Sequence, residues 1–292
     1  MMKRFVIPLF IPHKGCRFNC IFCNQFSIAS DSDNIDQVPE TVKSYIDTQF
    51  EKFGGINPKY EETQISFYGG SFTCLSNEEM SSYFLLISDF LKSNADNSKF
   101  PQYCVTDSLR LSTRPDCITE EIAVFLKKNH VKTVEIGAQT LDDNLLKILN
   151  RGHTVKHITE ACEILKSFDF EIGIQLMVGI PGETILSVEN SLKLLTDVIK
   201  PNFIRIYPLI VVKGTVIEKM YNKGEYVPLT VDEAVERAAI IANACINKHI
   251  DIARIGLQYT KLLSENIIAG PALPNIGELV RQKVESALKN KK

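Results

Sequence analysis

The chain has 292 residues, 45% of them hydrophobic and 23% charged, which supports a sizeable core in one large domain or two small ones. A formal net charge of −2 excludes a global basic field that would draw nucleic acid and leaves only local patches. No stretch approaches the ~18 consecutive apolar residues that span a bilayer.

The basic opening Met1-Met2-Lys3-Arg4 precedes a short apolar run interrupted by Pro8 and Pro12, so no signal peptide is expected and a cytoplasmic location is. That run, 5–12, predicts the first strand. A cysteine-bearing loop, a polar loop at 27–38 and a helical pattern at 39–53 follow. Strand 63–69 leads to helix 77–92, a polar loop covers 93–102, and strand 109–114 leads to helix 119–129. Strand 133–139 precedes helices 142–149 and 155–168, and strand 171–180 precedes helix 184–199. Strand 203–212, helix 231–249 and a weaker strand at 251–257 complete the alternation. Thr119-Glu120-Glu121 and Thr230-Val231-Asp232-Glu233 set a hydroxyl before acidic first-turn residues, a helix-start signal.

This rhythm predicts a parallel sheet with helical crossovers. The expected fold is α/β, a partial (β/α)6-type barrel over residues 1–257, with 258–292 as a C-terminal extension of loop plus helix. A doubly wound open sheet is the alternative.

Strand alternation divides the side chains. In 171–180, Ile172, Ile174, Leu176 and Val178 face one way, and Gly173, Gln175, Met177 and Gly179 the other. Val134, Ile136 and Ala138 oppose Glu135, Gly137 and Gln139; Ile204 and Ile206 oppose Arg205 and Tyr207. Leu109, Leu111 and Thr113 oppose Arg110, Ser112 and Arg114, and Ile65 and Phe67 oppose Ser66 and Tyr68. A purely structural barrel interior is aliphatic, so a polar one predicts an open cavity for a polar ligand. Interior ion pairs, such as Glu135 with Arg114, are the alternative.

Eight cysteines occur, three of them within Cys16-Arg17-Phe18-Asn19-Cys20-Ile21-Phe22-Cys23 directly after the first strand. Cys74, Cys104, Cys117, Cys162 and Cys245 are scattered and are expected to be small, partly buried hydrophobes. In a reducing compartment clustered cysteines mean metal or catalysis. Three thiolates would leave one iron of a cubane open, as a catalytic centre requires. Zinc, with His13 as fourth ligand, is the competing arrangement.

The Cys-x3-Cys-x2-Cys loop, with Phe22 before its last cysteine, resembles the signature of the radical S-adenosylmethionine superfamily. The resemblance implies a 4Fe–4S cluster on Cys16, Cys20 and Cys23, with Phe22 against the cofactor's adenine. Tyr68-Gly69-Gly70-Ser71-Phe72-Thr73 is similar to the family's glycine pair, where the backbone meets the methionine amino group. Ser71 stands where many members have Glu. Ser112-Thr113-Arg114-Pro115-Asp116, Gly137-Ala138-Gln139-Thr140 and Gly179-Ile180-Pro181-Gly182-Glu183-Thr184 look like further blocks lining the cofactor site, with Gln175 on the same inward face. Residues 69–73, 113–116, 150–154, 180–184 and 206–214 resemble the radical domain of the Elongator catalytic subunit and its stand-alone bacterial relatives. The cluster loop is shorter than in Elongator proteins, and no acetyltransferase domain is expected after residue 257.

The resemblance implies reductive cleavage of S-adenosylmethionine to a 5′-deoxyadenosyl radical, with electrons from a flavodoxin or ferredoxin, no membrane partner and tRNA as a possible substrate. Arg205 and Tyr207 are the substrate-side candidates. Lys14, Arg17, Arg151, Lys156 and Lys213 are the expected basic patch for a phosphate backbone. A radical enzyme acting on a small metabolite or tetrapyrrole, and a zinc-binding RNA-binding module, are the competing functions.

Overall fold

A computed structural model describes residues 4–11, 13–24, 48, 62–95 and 105–289. In chain order the strands are β1 (Arg4–Phe10), β2 (Glu62–Tyr68), β3 (Val105–Thr113), β4 (Val131–Gln139), β5 (Glu171–Val178), β6 (Phe203–Pro208), β7 (Val211–Val212), β8 (Asp251–Ile255) and β9 (Ile267–Ala269). Seven of them form one parallel sheet in the order β1-β2-β3-β4-β5-β6-β8, and β7 pairs antiparallel with β9. A doubly wound sheet reverses its strand order at a switch point. This order never reverses, so the sheet curls one way as a partial (β/α) barrel whose edge strands, β1 and β8, do not pair.

The helices are α1 (Asn77–Ala95), α2 (Glu120–Lys128), α3 (Asp143–Ile148), α4 (Val155–Ser167), α5 (Ile185–Lys193), α6 (Val216–Asn222), α7 (Val231–Asn247), α8 (Lys261–Asn266) and α9 (Ile276–Lys289). The helix predicted at 39–53 lies outside the described residues apart from Thr48. The predicted starts are real: Thr119 accepts from the Ile122 amide, and Thr230 and Glu233 form a reciprocal capping box. Each such cap stabilises its helix by about 1 kcal/mol. The helix predicted at 184–199 ends as α5 at Lys193, and a π-helical turn, Leu194–Ile199, completes it.

The aliphatic faces are buried as the alternation requires. Ile172, Ile174, Leu176 and Val178 of β5, and Val134, Ile136 and Ala138 of β4, lie under the helices. Burying each large aliphatic side chain contributes about 1.5–3 kcal/mol. Residues beyond 257 add α8, β9 and α9. Ile276, Val280 and Val284, at helical spacing on α9, enter the same core.

The opposite faces divide by depth. At mid-strand depth the interior is closed around Glu135, which is fully buried. Arg110 Nε and Arg205 Nε donate to its carboxylate at 2.6 and 2.7 Å, with Gln175 Nε2 and the Tyr68 hydroxyl at 2.9 and 2.7 Å. The alternative of interior ion pairs holds at this depth but not with the partner it named: Arg114 forms a two-point pair with Asp116 at 3.0 Å instead of meeting Glu135. The reason is position, since Arg114 follows β3 and points over the rim while Arg110 sits within the strand. Toward the strand ends the interior opens.

Candidate active site

The C-terminal strand ends enclose a cavity of about 680 Å³. The cysteine loop forms part of its wall through Cys16, Cys20, Phe22 and Cys23. Gly69, Gly70 and Ser71 after β2, Ser112 and Arg114 of the β3 end, and Gln139 of β4 contribute the next part. Gln175 of β5, with Arg205 and Tyr207 of β6, completes the set expected from sequence. The fold thus gathers every one of those residues on one cavity, from positions spread between 16 and 207.

Backbone hydrogen bonds hold the cysteine loop in place. The Ile11 amide donates to Tyr68 O at 2.8 Å and the Ser71 amide to Lys14 O at 2.7 Å. Farther along, the Ile21 amide donates to Leu149 O, Asn150 Nδ2 to Asn19 O, and Asn24 Nδ2 to Lys213 O. Gly70 has a packing reason in this frame. A Cβ there would stand 2.4 Å from Lys14 O and 2.7 Å from Ile11 O. The missing side chain makes room for the cysteine loop itself.

Several cavity residues are tied into their surroundings. Ser71 Oγ accepts from the Arg114 amide at 3.0 Å and meets Thr113 Oγ1 at 3.3 Å, which leaves it little freedom to meet a ligand. Arg114 stacks on Phe18 with 4.7 Å to the ring centre. Gln139 takes a left-handed backbone, φ 71°, at the end of β4. The block at 179–184 contributes no residue to the cavity lining. It folds on itself: the Gly179 amide donates to Glu183 Oε1 at 3.0 Å, and Arg237 pairs with the same carboxylate at 2.6 Å. Burial raises the Glu183 carboxyl, with Gly179 and Arg237 opposing.

Arg151 is the main residue that sequence placed wrongly. It is buried, so it is no part of an exposed basic patch. Its Nη1 donates to Cys20 Sγ at 3.1 Å and its Nη2 to Gly137 O at 2.5 Å. A Cβ on Gly137 would lie 3.3 Å from that guanidinium, so glycine here admits the arginine. Behind it, burial and then the charge of Arg151 lower the His153 imidazole to about 3. Lys156 is exposed and pairs with Glu160 on α4. Arg17 and Lys213 are exposed, and Lys14 is half-buried.

Cys16, Cys20 and Cys23 form no disulfide. The protein around Cys16 and the Cys20 sulfur raise the Cys16 thiol, while Arg151 and Arg114 pull it down. Three soft sulfur donors on one wall, one already accepting from a guanidinium, fit an iron–sulfur group. Among the described residues no three His, Cys, Asp or Glu side chains are gathered into a single-ion ligand set, His13 included. Cys162 and Cys245 are buried, and burial lifts both thiols to about 12. Cys104 lies outside the described residues. The expectation for Cys74 and Cys117 is corrected: they form a disulfide, with Cα atoms 5.3 Å apart. Parallel pairing of β2 and β3 brings the turns after them together, a proximity invisible across 43 residues of sequence.

The model of the Radical SAM superfamily matches residues 10–195, and that of the Radical_SAM C-terminal domain matches 201–286. A tRNA uridine(34) acetyltransferase of Methanocaldococcus jannaschii is 32% identical over 184 residues, 61% of this chain and 32% of that protein. An uncharacterized protein of the same organism is 31% identical over 243 residues, 79% of this chain and 68% of that one. The structure of the archaeal Methanocaldococcus infernus Elp3 with an N-terminal deletion shares the fold, with a TM-score of 0.76 at 22% identity over 98% of this chain and 64% of that one. The chain spans about a third of the length of the tRNA uridine(34) acetyltransferases it matches. Among the described residues no helix is long and apolar enough to cross a membrane.

Proposed function

The chain belongs to the radical SAM superfamily, and from that premise we propose that it cleaves S-adenosylmethionine reductively at a 4Fe–4S cluster and uses the resulting 5′-deoxyadenosyl radical on a base of tRNA. The observation that carries the reading is convergence. Three cysteines outside any disulfide and the polar residues of five strands line one cavity at the end of the barrel where such enzymes do their chemistry.

Cys16, Cys20 and Cys23 would hold the cluster at the cavity wall. When bound, the two cofactors would supply the hard chemistry, a reducing electron and a radical derived from S-adenosylmethionine. The chain's own residues bind, orient and exclude water. Arg151 fixes the Cys20 sulfur through its 3.1 Å hydrogen bond. Phe22 offers an aromatic face for adenine. Ser112, Arg114, Gln139 and Gln175 offer polar groups, and the backbone of Gly69 and Gly70 allows close approach. The Glu135 network anchors Arg205 and Gln175 from below, so the floor is pre-organised rather than assembled on binding. Arg205 and Tyr207 face the substrate side. The external electron would come from a flavodoxin or ferredoxin.

The tRNA substrate is supported by the likeness to tRNA uridine(34) acetyltransferases and by Lys14, Arg17 and Lys213 outside the buried site. The test is anaerobic reconstitution followed by assay for 5′-deoxyadenosine with reductant, alone and with tRNA. The expected result is cleavage that tRNA stimulates, with a modified nucleoside in the digest. Cleavage with no change in any tRNA, and a product from a small-molecule pool, would replace tRNA by a metabolite.

A further inference from the structure

The cavity is lined by Arg114, Arg151, Arg205 and Arg254, and its lining contains no aspartate or glutamate among the described residues. Two of these guanidiniums pair with carboxylates, Arg114 with Asp116 and Arg205 with Glu135 through Nε at 2.7 Å and Nη2 at 3.0 Å. Arg151 is committed to the cysteine loop and β4 through Cys20 Sγ and Gly137 O, although its buried Nε has no acceptor among the described residues.

Arg254 differs. It stands on the edge strand β8, in register beside Arg205 on β6. Its hydrogen bonds run only to carbonyls, Nε to Gly256 O at 3.0 Å and Nη2 to Leu257 O at 3.3 Å. Those two bonds fix the plane of the fork and leave Nη1 without an acceptor among the described residues. Burial and the neighbouring Arg205 lower its pKa, with Tyr207 opposing, which marks a cation short of negative charge. Glu135 cannot supply that charge, because Arg110 and Arg205 already share it. Tyr207 and Gln258 line the cavity too and carry neutral donors.

We propose that Arg254 is the centre of an anion subsite, in which the guanidinium receives a substrate carboxylate or phosphate beside the hydroxyl of Tyr207 and the amide of Gln258. A guanidinium held in one plane suits planar or forked oxyanions and loses little freedom on binding them. That the anion belongs to a substrate rests on the cavity being the site of radical chemistry; that an anion binds there does not.

The experiment titrates full-length reconstituted protein with inorganic phosphate and with succinate at constant ionic strength, by calorimetry. S-adenosylmethionine is titrated separately. Wild type is compared with Arg254→Gln and with Arg254→Met, which keeps the aliphatic stem if the amide variant folds poorly. One of the two anions should saturate wild type, and its affinity should fall at least tenfold in the variants while the affinity for S-adenosylmethionine holds within twofold. Tighter phosphate points to a nucleotide or phosphorylated substrate, and tighter succinate to a carboxylic acid. No saturable anion binding, equal affinity in wild type and variants, or a parallel loss of S-adenosylmethionine would overturn the subsite; the last would give Arg254 to the cofactor. Wild type that binds an anion through Arg254 yet never cleaves S-adenosylmethionine would refute the enzymatic reading and leave the subsite standing.

Discussion

The lower and upper halves of the barrel interior come from the same strands and the same alternation, yet one is closed and the other open. Below, Glu135 meets Arg110, Arg205, Gln175 and Tyr68, so the protein supplies its own counter-charges. Above, four arginines and a run of glycine, serine and glutamine surround about 680 Å³ of space. A buried polar group must find a partner or stay wet. The lower layer solves this internally and becomes scaffold. The upper layer meets it only in part from within, leaves the rest to ligands and becomes a site.

The cysteine loop offers the sharpest break between the two. Cys16→Ala, Cys20→Ala or Cys23→Ala should each abolish iron retention and cofactor cleavage while the fold persists, since the thiols lie at the open end. Cys162→Ala or Cys245→Ala, in the buried core, should leave both functions intact. Iron and sulfide analysis after anaerobic reconstitution checks this, and a fully loaded Cys20→Ala protein would remove that residue from the ligand set.

The lower layer should fail in the opposite way. Glu135→Gln leaves two buried guanidiniums without their shared carboxylate and should cost about 3–5 kcal/mol of stability. Chemical denaturation measures it. Acidity tests the same group. Burial pushes the Glu135 carboxyl up, but Arg205 and Arg110 outweigh it and hold it at about 2, below its ordinary 4.5. A depressed carboxylate stabilises the fold fully above its unfolded value. That contribution, about 3 kcal/mol, should fade as pH falls from about 4.5 toward 2. Glu135→Gln should flatten this acid limb, and an unchanged limb would mean that other groups control it.

Much of this contrast was legible in the sequence. Period-two alternation named the inward residues of five strands, and the spacing of Cys16, Cys20 and Cys23 named the loop. What stayed hidden depends on neighbours across strands. Nothing local says that Glu135 pairs with Arg110 and Arg205 rather than Arg114, because strand register decides which guanidinium lies at its depth. Arg151 read as a loop cation, yet it turns inward through the gap that Gly137 leaves. Cys74 and Cys117 gave no local sign of pairing. The β7–β9 ribbon was also missed, since two residues and three residues make too short a run for periodicity.

Two glycines should grade the upper layer's tolerance. A Cβ at Gly70 strikes backbone oxygens of the cysteine loop, which cannot swing aside. Gly70→Ala should therefore displace the loop and lower iron retention several-fold. A Cβ at Gly137 meets side-chain ends, Gln139 Nε2 at 3.1 Å and Arg151 Nη2 at 3.3 Å, which can give. Gly137→Ala should keep its iron and weaken S-adenosylmethionine by a smaller factor. If Gly70→Ala loaded fully and lost only cofactor affinity, the glycine pair would serve the ligand rather than the loop.

The smallest effect belongs to the surface outside both layers. If tRNA docks on this chain, its phosphates must meet cations that the interior has not consumed. Arg151 is withdrawn by its bonds to Cys20 and Gly137, and Lys156 has Glu160 beside it on its helix. Arg17 and Lys213 are exposed, and Lys14 is half-buried in the cysteine loop. Each phosphate neutralised contributes about one power of the salt concentration to the affinity. A Lys14/Arg17/Lys213 triple-alanine protein should therefore bind tRNA more weakly at low salt, and its salt slope should be shallower by up to about 3. An Arg151→Ala protein should keep the wild-type slope, because a guanidinium bonded to the Cys20 sulfur does not reach a phosphate backbone. Equal slopes in wild type and the triple variant would place any tRNA contact elsewhere and shift the weight to a small substrate held wholly within the cavity.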